Sequence, residues 1–160
     1  MTATRRVVTY VYLAATITYA LDRVTKIWAE HVLAGRGSIV LIPGVLELDY
    51  TTNSGGAFGF GQSAPWIFAA ASIGVSVAIV VASFRVEHVW TAIALGLVLG
   101  GALGNLTDRI VRAEGGLLTG RVVDFIDLQV WPVFNVADSA VVVGAILLAV
   151  LSGRREPREV

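Results

Sequence analysis

The chain has no cysteine, a single lysine and only two histidines among its 160 residues. Each scarcity closes a route. Without cysteine there is no disulfide, no thiolate nucleophile and no Cys-ligated metal. A Ser-Lys hydrolase would have to take its base from Lys26, and a Ser-His pair from His31 or His88, which the topology below sets on opposite sides of a membrane. Neither histidine stands in an H-E-x-x-H zinc motif. Charge is scarce too: 15% of residues are charged and the net charge is zero, so nothing points to a nucleic-acid partner.

What is abundant is apolar. Hydrophobic residues make up 56% of the chain, well above a soluble domain of this size. Four stretches, about 7–28, 65–84, 90–107 and 134–152, come close to the roughly 20 residues that cover a bilayer core. The expectation is a mainly α membrane protein, one integral domain over 1–160 with four transmembrane helices. The opening "TATRRVVTYVYLAATITYA" has the outline of a signal peptide, but its apolar pattern runs on through Leu21, Val24 and Ile27, which favours a first span. Trp28, Trp66, Trp90 and Trp131 fall near span ends, where amphipathic rings settle at the headgroups, and Pro65 suits a helix's first turn. Arg5, Arg6, Arg85, Arg154, Arg155 and Arg158 crowd the short segments, whereas the other basic residues are diluted over longer ones. That density puts both termini in the cytoplasm and the loops at about 29–64 and 108–133 outside.

The first outer loop has structure of its own. In "SIVLIPGVLELDYTT" a Pro-Gly turn separates two β-type stretches, and Leu46 to Tyr50 alternate apolar and polar, the pattern of a β-rich hairpin. The following "NSGGAFGFG" lacks the Lys-Ser/Thr ending of a phosphate loop and reads as a flexible turn or lid. Gly96, Gly100 and Gly104 recur every four residues in the third span, a packing seam for a neighbouring helix.

Ionisable residues in or beside spans are costly and raise a functional question by default. Here they gather at the outer helix ends: Asp22 and Lys26 on the first, Asn105, Asp108 and Arg109 on the third, Asp138 on the fourth. Asp124, Asn53 and Asn135 belong to the same level. Ordinary explanations exist for each. Asp22 and Lys26 are four apart and favour pairing with each other. Asn105 and Asp108 would cap the third helix, Arg109 would snorkel, and Asp138 would stabilise its helix start. Asp124 lies between strand-like apolar neighbours, which argues against a free solvated turn. Two carboxylates sharing a low-dielectric site share a proton, and such a pair can activate water while protonating the departing group. Asp124 and Asp138 are thus either such a dyad or a structural pair. Carboxylates also suit Mg²⁺ or Mn²⁺, but no recognisable ligand spacing supports a metal site.

Five blocks in order make the chain resemble the lipoprotein signal peptidases, or signal peptidase II: "DRVTK" at 22–26, "NSGGAF" at 53–58, "GNLTDR" at 104–109, "VVDFI" at 122–126 and "FNVADSA" at 134–140. The resemblance implies an aspartic endopeptidase of the bacterial cytoplasmic (inner) membrane, without a cofactor, its active site toward the outer face. It would cut signal peptides from prolipoproteins ahead of a lipidated lipobox cysteine, with membrane lipids around it and no obligate protein partner evident. It casts Asp124 and Asp138 as the catalytic pair, with Asn53, Gly55, Asn105, Asp108, Arg109, Asn135, Asp22 and Lys26 holding substrate or supporting the dyad. Three departures stand out: Arg23 in place of glutamine, Gly56 in place of alanine, and a long 110–121 segment beside Asp124. The rival readings are a small proton- or ion-coupled carrier, which would place its carboxylates near the bilayer midplane, and a non-enzymatic scaffold.

Overall fold

The computed structural model describes residues 3–56 and 64–153, with side chains from residue 7 onward, so the 57–61 part of the expected lid lies outside the described residues. In chain order the elements are α1 (Ala3–Val32), β1 (Ile39–Ile42), β2 (Leu46–Asn53), α2 (Pro65–Ser83), α3 (Val89–Val111), β3 (Val122–Asp127) and α4 (Val136–Gly153).

Among the described residues α2, α3 and α4 are long and apolar enough to cross a membrane. The longest helix, α1, falls short of that apolarity for an instructive reason. Its exposed stripe is apolar (Tyr10, Leu13, Ile17, Leu21, Val24, Trp28), whereas its buried stripe runs Val11, Ala15, Thr18, Asp22, Lys26, Ala29. Both stripes follow the helical period, but the polar residues point inward. That inversion fits lipid as the solvent: averaging along the sequence penalises Asp22 and Lys26, which the bilayer never meets.

The centre of the bundle is α3, which packs against each of the other three helices. Its glycines let the backbones close in. A Cβ at Gly100 would lie 2.5 Å from the Ala15 carbonyl oxygen and 2.6 Å from Thr18 Cβ, one at Gly96 would strike Val11 and Ala14, and one at Gly104 would strike the Asp22 carboxylate. The seam expected from the four-residue spacing therefore faces α1. A second seam faces α4, where Gly101 abuts Ala137 and Gly144 abuts Ala94 and Val98.

The expected hairpin is β1–β2, turned at Gly44 with φ of 69°. It does not stand alone. β3 pairs antiparallel with β2, through Thr51–Asp124, Thr52–Val123 and Asn53–Val122, to complete a three-stranded sheet in the order β1-β2-β3. No local pattern announces this pairing, because its two strands lie in different inter-helix loops. The sheet is seated on α1 by an apolar cluster of Ala29, Leu33, Val123 and Phe125, with Trp28 edge-on to Phe125 at 6.4 Å.

The long 110–121 segment is folded back. Arg112 makes two 2.7 Å hydrogen bonds to the Glu30 carboxylate, linking the ends of α1 and α3. Gly120 donates its N–H to the Arg109 carbonyl at 3.0 Å, and a Cβ there would sit 2.6 and 2.7 Å from the Asp108 and Arg109 carbonyl oxygens. Only glycine fits that approach, and it delivers the chain into β3.

Candidate active site

Asp124 lies in β3 and Asp138 in the first turn of α4, and Asn135 joins them. As the N-cap of α4, Asn135 accepts the Asp138 N–H on Oδ1 at 2.9 Å, and the Asp138 carboxylate reaches back to the Asn135 N–H at 3.3 Å. This is a capping box with aspartate at its third position. A backbone N–H can only donate, so that face of Asn135 is its oxygen. Its Nδ2 therefore faces the other way, 2.6 Å from Asp124 Oδ1 and 3.2 Å from the Val123 carbonyl. The fully buried Asn135 thus holds both carboxylates, Asp124 through its side-chain amide and Asp138 through its backbone N–H.

The same reasoning orients Asn105. The Lys26 ammonium, a donor only, sits 2.8 Å from Asn105 Oδ1, so Asn105 Nδ2 points at Asp138 Oδ1, also at 2.8 Å. Both Asp138 oxygens accept hydrogen bonds, whereas Asp124 receives its short bond on Oδ1. Asp124 is 2% exposed, and its pKa is pushed up to about 7, first by burial and then by the Asp138 charge. The Asn135 and Asn53 amides and the Lys26 charge pull it the other way.

Behind this layer lies a buried charge cluster. Lys26 pairs with Asp22 at 2.9 Å, as the four-residue spacing leads one to expect, but also with Asp108 at 3.0 Å. Asp108 further accepts from Arg23 at 2.5 Å and Arg112 at 3.3 Å. Asp22 accepts the Ala137 N–H at 3.0 Å, so a carboxylate of α1 caps α4.

Two sequence expectations change here and a third holds. Asn105 and Asp108 do not cap α3, because the helix runs on to Val111; their side chains turn sideways to Asp138, Lys26 and Arg23. Arg109 does not snorkel. It is 4% exposed, and its guanidinium donates to the Ser54, Gly55 and Gly120 carbonyls at 3.2, 2.8 and 3.4 Å. Buried carbonyls at two loops offer it more than a headgroup can. Asp138 shares the helix-start role with Asn135 and Asp22. Gly55 is held in turn by its N–H to Asn53 Oδ1 at 2.9 Å, a tethered turn at the mouth of the proposed lid.

A cavity of about 460 Å³ opens beside the carboxylates. Asn53, Gly55, Asn105, Arg109, Asp124 and Asp138 line its polar end, while Ala71, Val75, Val98, Ala102 and Val141 from α2, α3 and α4 line its apolar flank. Asp22, Lys26, Asp108 and Asn135 do not line it. Sequence reasoning missed Phe68, a wall of this cavity, since one aromatic in an apolar span carries no signal of its own. It also gave no partner to Arg23, whose neighbour on α3 is visible only in three dimensions. Among the described residues no group of three or more His, Asp or Glu side chains is arranged to hold a metal ion.

Two carboxylates joined through one asparagine at the end of an apolar cavity, in a helical chain built for lipid, belong to the membrane-embedded aspartic peptidases. Residues 14–153 match the family described as signal peptidase (SPase) II, and the chain belongs to that family. It is 42% identical to the lipoprotein signal peptidase of Rhodococcus jostii (strain RHA1), over 88% of this chain and 71% of that one. It is 44% identical to the lipoprotein signal peptidase of Mycobacterium avium (strain 104), over 92% and 80%. A bacterial membrane enzyme solved by the in meso method at 2.3 Å resolution superposes with a TM-score of 0.76 at 29% identity, covering 94% of this chain and 93% of that one. The protein is thus a multi-pass membrane peptidase, and a carrier role has no support.

Proposed function

We propose that the protein removes signal peptides from lipid-modified prolipoproteins by cutting ahead of the diacylglyceryl cysteine, with Asp124 and Asp138 as the catalytic pair. The observation that carries this reading is the bridge that Asn135 makes beside the cavity, its side-chain amide on the Asp124 carboxylate and its backbone N–H on that of Asp138. The substrate's lipid stays in the bilayer and its signal helix lies along the apolar flank. Near the cut the substrate backbone unwinds, since a helix hides its peptide bonds. Asn53, Asn105 and Arg109 orient the dyad and the turn facing it, while Asp22, Lys26 and Asp108 brace Asn105 and the start of α4. Both termini lie in the cytoplasm, and the site faces the outer side of the cytoplasmic membrane.

The hydrogen bonds divide the labour. Asp138, accepting on both oxygens, is the carboxylate that draws a proton from water. Asp124, more easily kept neutral, donates its proton to the carbonyl oxygen as water adds. Asp138 then passes the proton it took from water to the departing nitrogen, while Asp124 recovers its own from a hydroxyl of the diol. Water adds to the carbonyl carbon, the tetrahedral centre collapses, and the amine leaves with the proton it has received.

A sharp test is cleavage by the purified full chain of one prolipoprotein offered with and without its diacylglyceryl group. Cleavage of the lipidated form alone supports the reading; equal cleavage of both, or of neither, sinks it. The pH profile checks the proton assignment. Asp124's raised pKa keeps it neutral below about 7, so kcat/KM should fall as pH rises through that value, as an apparent pKa of the pair. A profile still climbing at roughly pH 8 would contradict a neutral donor in the dyad.

A further inference from the structure

The turn at Asn53–Gly56 and the helix α2 meet at one point, and the fit there is tight. A Cβ added to Gly56 would lie 2.6 Å from Phe68 Cε1 and 2.8 Å from Cζ, but 3.6 Å from Cδ1. The far edge of the ring, not its base, fills the space that a side chain at 56 would need. The ring is also held from above, because the Arg109 guanidinium stacks over it at 5.3 Å from the centroid. Arg109 in turn donates to the Ser54 and Gly55 carbonyls, and Asn53 Nδ2 reaches the Gly56 carbonyl at 3.4 Å. Ring, guanidinium and turn therefore interlock, and Phe68, Gly56, Gly55, Arg109 and Asp124 all line the same cavity. A methyl at 56 would have to push the ring into the cavity or off Arg109. An alanine at 56 cannot coexist with the Phe68 ring in this position.

We infer that Phe68 is a specificity-determining residue, its ring narrowing the cavity beside the carboxylates so that only a small side chain fits on the amino side of the cut. The inference rests on the peptidase reading above for its substrate, while the steric pair stands on geometry alone. It makes Gly56 obligatory only as long as Phe68 is present. Leucine at 68 reaches about as far as the ring's Cδ atoms, which lie at ordinary contact distance, so it should free the space without opening the core.

The experiment is a cycle of Gly56→Ala, Phe68→Leu and the double variant, in the full chain in detergent, read by cleavage and by thermal melting. Gly56→Ala should lower kcat/KM about tenfold, and the double variant should recover to within about threefold of Phe68→Leu, the non-additivity of groups in contact. Phe68→Leu should also raise the preference for a substrate with valine rather than glycine before the cut by about tenfold, the scale on which an apolar pocket discriminates. A merely structural Phe68 would slow both substrates equally, which would overturn the specificity claim. Additive effects of the two substitutions on both cleavage and melting would overturn the steric pair. Melting tests that pair whether or not the chain cuts. Wild type inactive toward lipidated substrate would instead sink the peptidase reading, and the specificity claim with it.

Discussion

Asp124→Asn and Asp138→Asn should each lower prolipoprotein cleavage by about a thousandfold or more, the scale on which removing a catalytic acid or base tells. Neither should unfold the protein. Asparagine has nearly the volume of aspartate, and at 138 its oxygen still accepts one of the two hydrogen bonds from Asn105 Nδ2 and the Asn135 N–H. At 124 the Asn135 amide keeps a partner through the new carbonyl oxygen. Melting temperatures should stay near wild type while turnover vanishes. The double variant should be scarcely worse than either single one, because the two groups move protons for one reaction. Substantial turnover by either correctly folded variant would mean that the reacting groups lie elsewhere.

Lys26→Met should have the largest effect on stability. The Lys26 side chain is fully buried and lies 2.9 Å from Asp22 and 3.0 Å from Asp108. Asp108 would keep Arg23 and Arg112, but Asp22 would keep no cation. Removing one partner from such a pair costs about 3–5 kcal/mol, because the other charge stays buried and uncompensated. A chain of this size should then melt about 10 °C lower. The damage should also reach the carboxylates. Lys26 is the nearer of two donors that fix the Asn105 oxygen, and without it only the longer 3.3 Å bond from Asn135 Nδ2 keeps that oxygen turned away from Asp138. Adding Asp22→Asn should restore much of the stability, since it removes the stranded charge, but not the activity. A Lys26→Met protein that melts like wild type would show that the cluster does not hold the bundle together.

Much of this molecule was legible one residue at a time. Lipid as solvent demands long apolar helices, and the composition declares them. A glycine every four residues marks a close helix contact, and a Pro-Gly turn between alternating strands marks a hairpin. The Asp22–Lys26 spacing marks a pair, which formed. These features depend on neighbours within a turn or two, where backbone periodicity alone decides what faces what.

What sequence could not reveal was which distant neighbours each polar group would meet. Capping is the commonplace use of an asparagine or aspartate at a helix end, and snorkelling that of an arginine. Asn105, Asp108 and Arg109 did neither, because α3 continued and β3 folded against β2 to bring carbonyls and carboxylates within reach. The role of Phe68 arose only where α2 crosses the Gly56 turn. Composition and the order of the motifs determined by themselves that this is a membrane-embedded chain of the signal peptidase II family. Tertiary structure alone decided that one buried asparagine holds two carboxylates together, that a lysine helps orient a neighbouring amide, and that an aromatic ring narrows the cavity. The physical reason is range: periodicity and propensity act over a few residues, whereas buried hydrogen bonds and steric fit depend on groups that only packing makes neighbours.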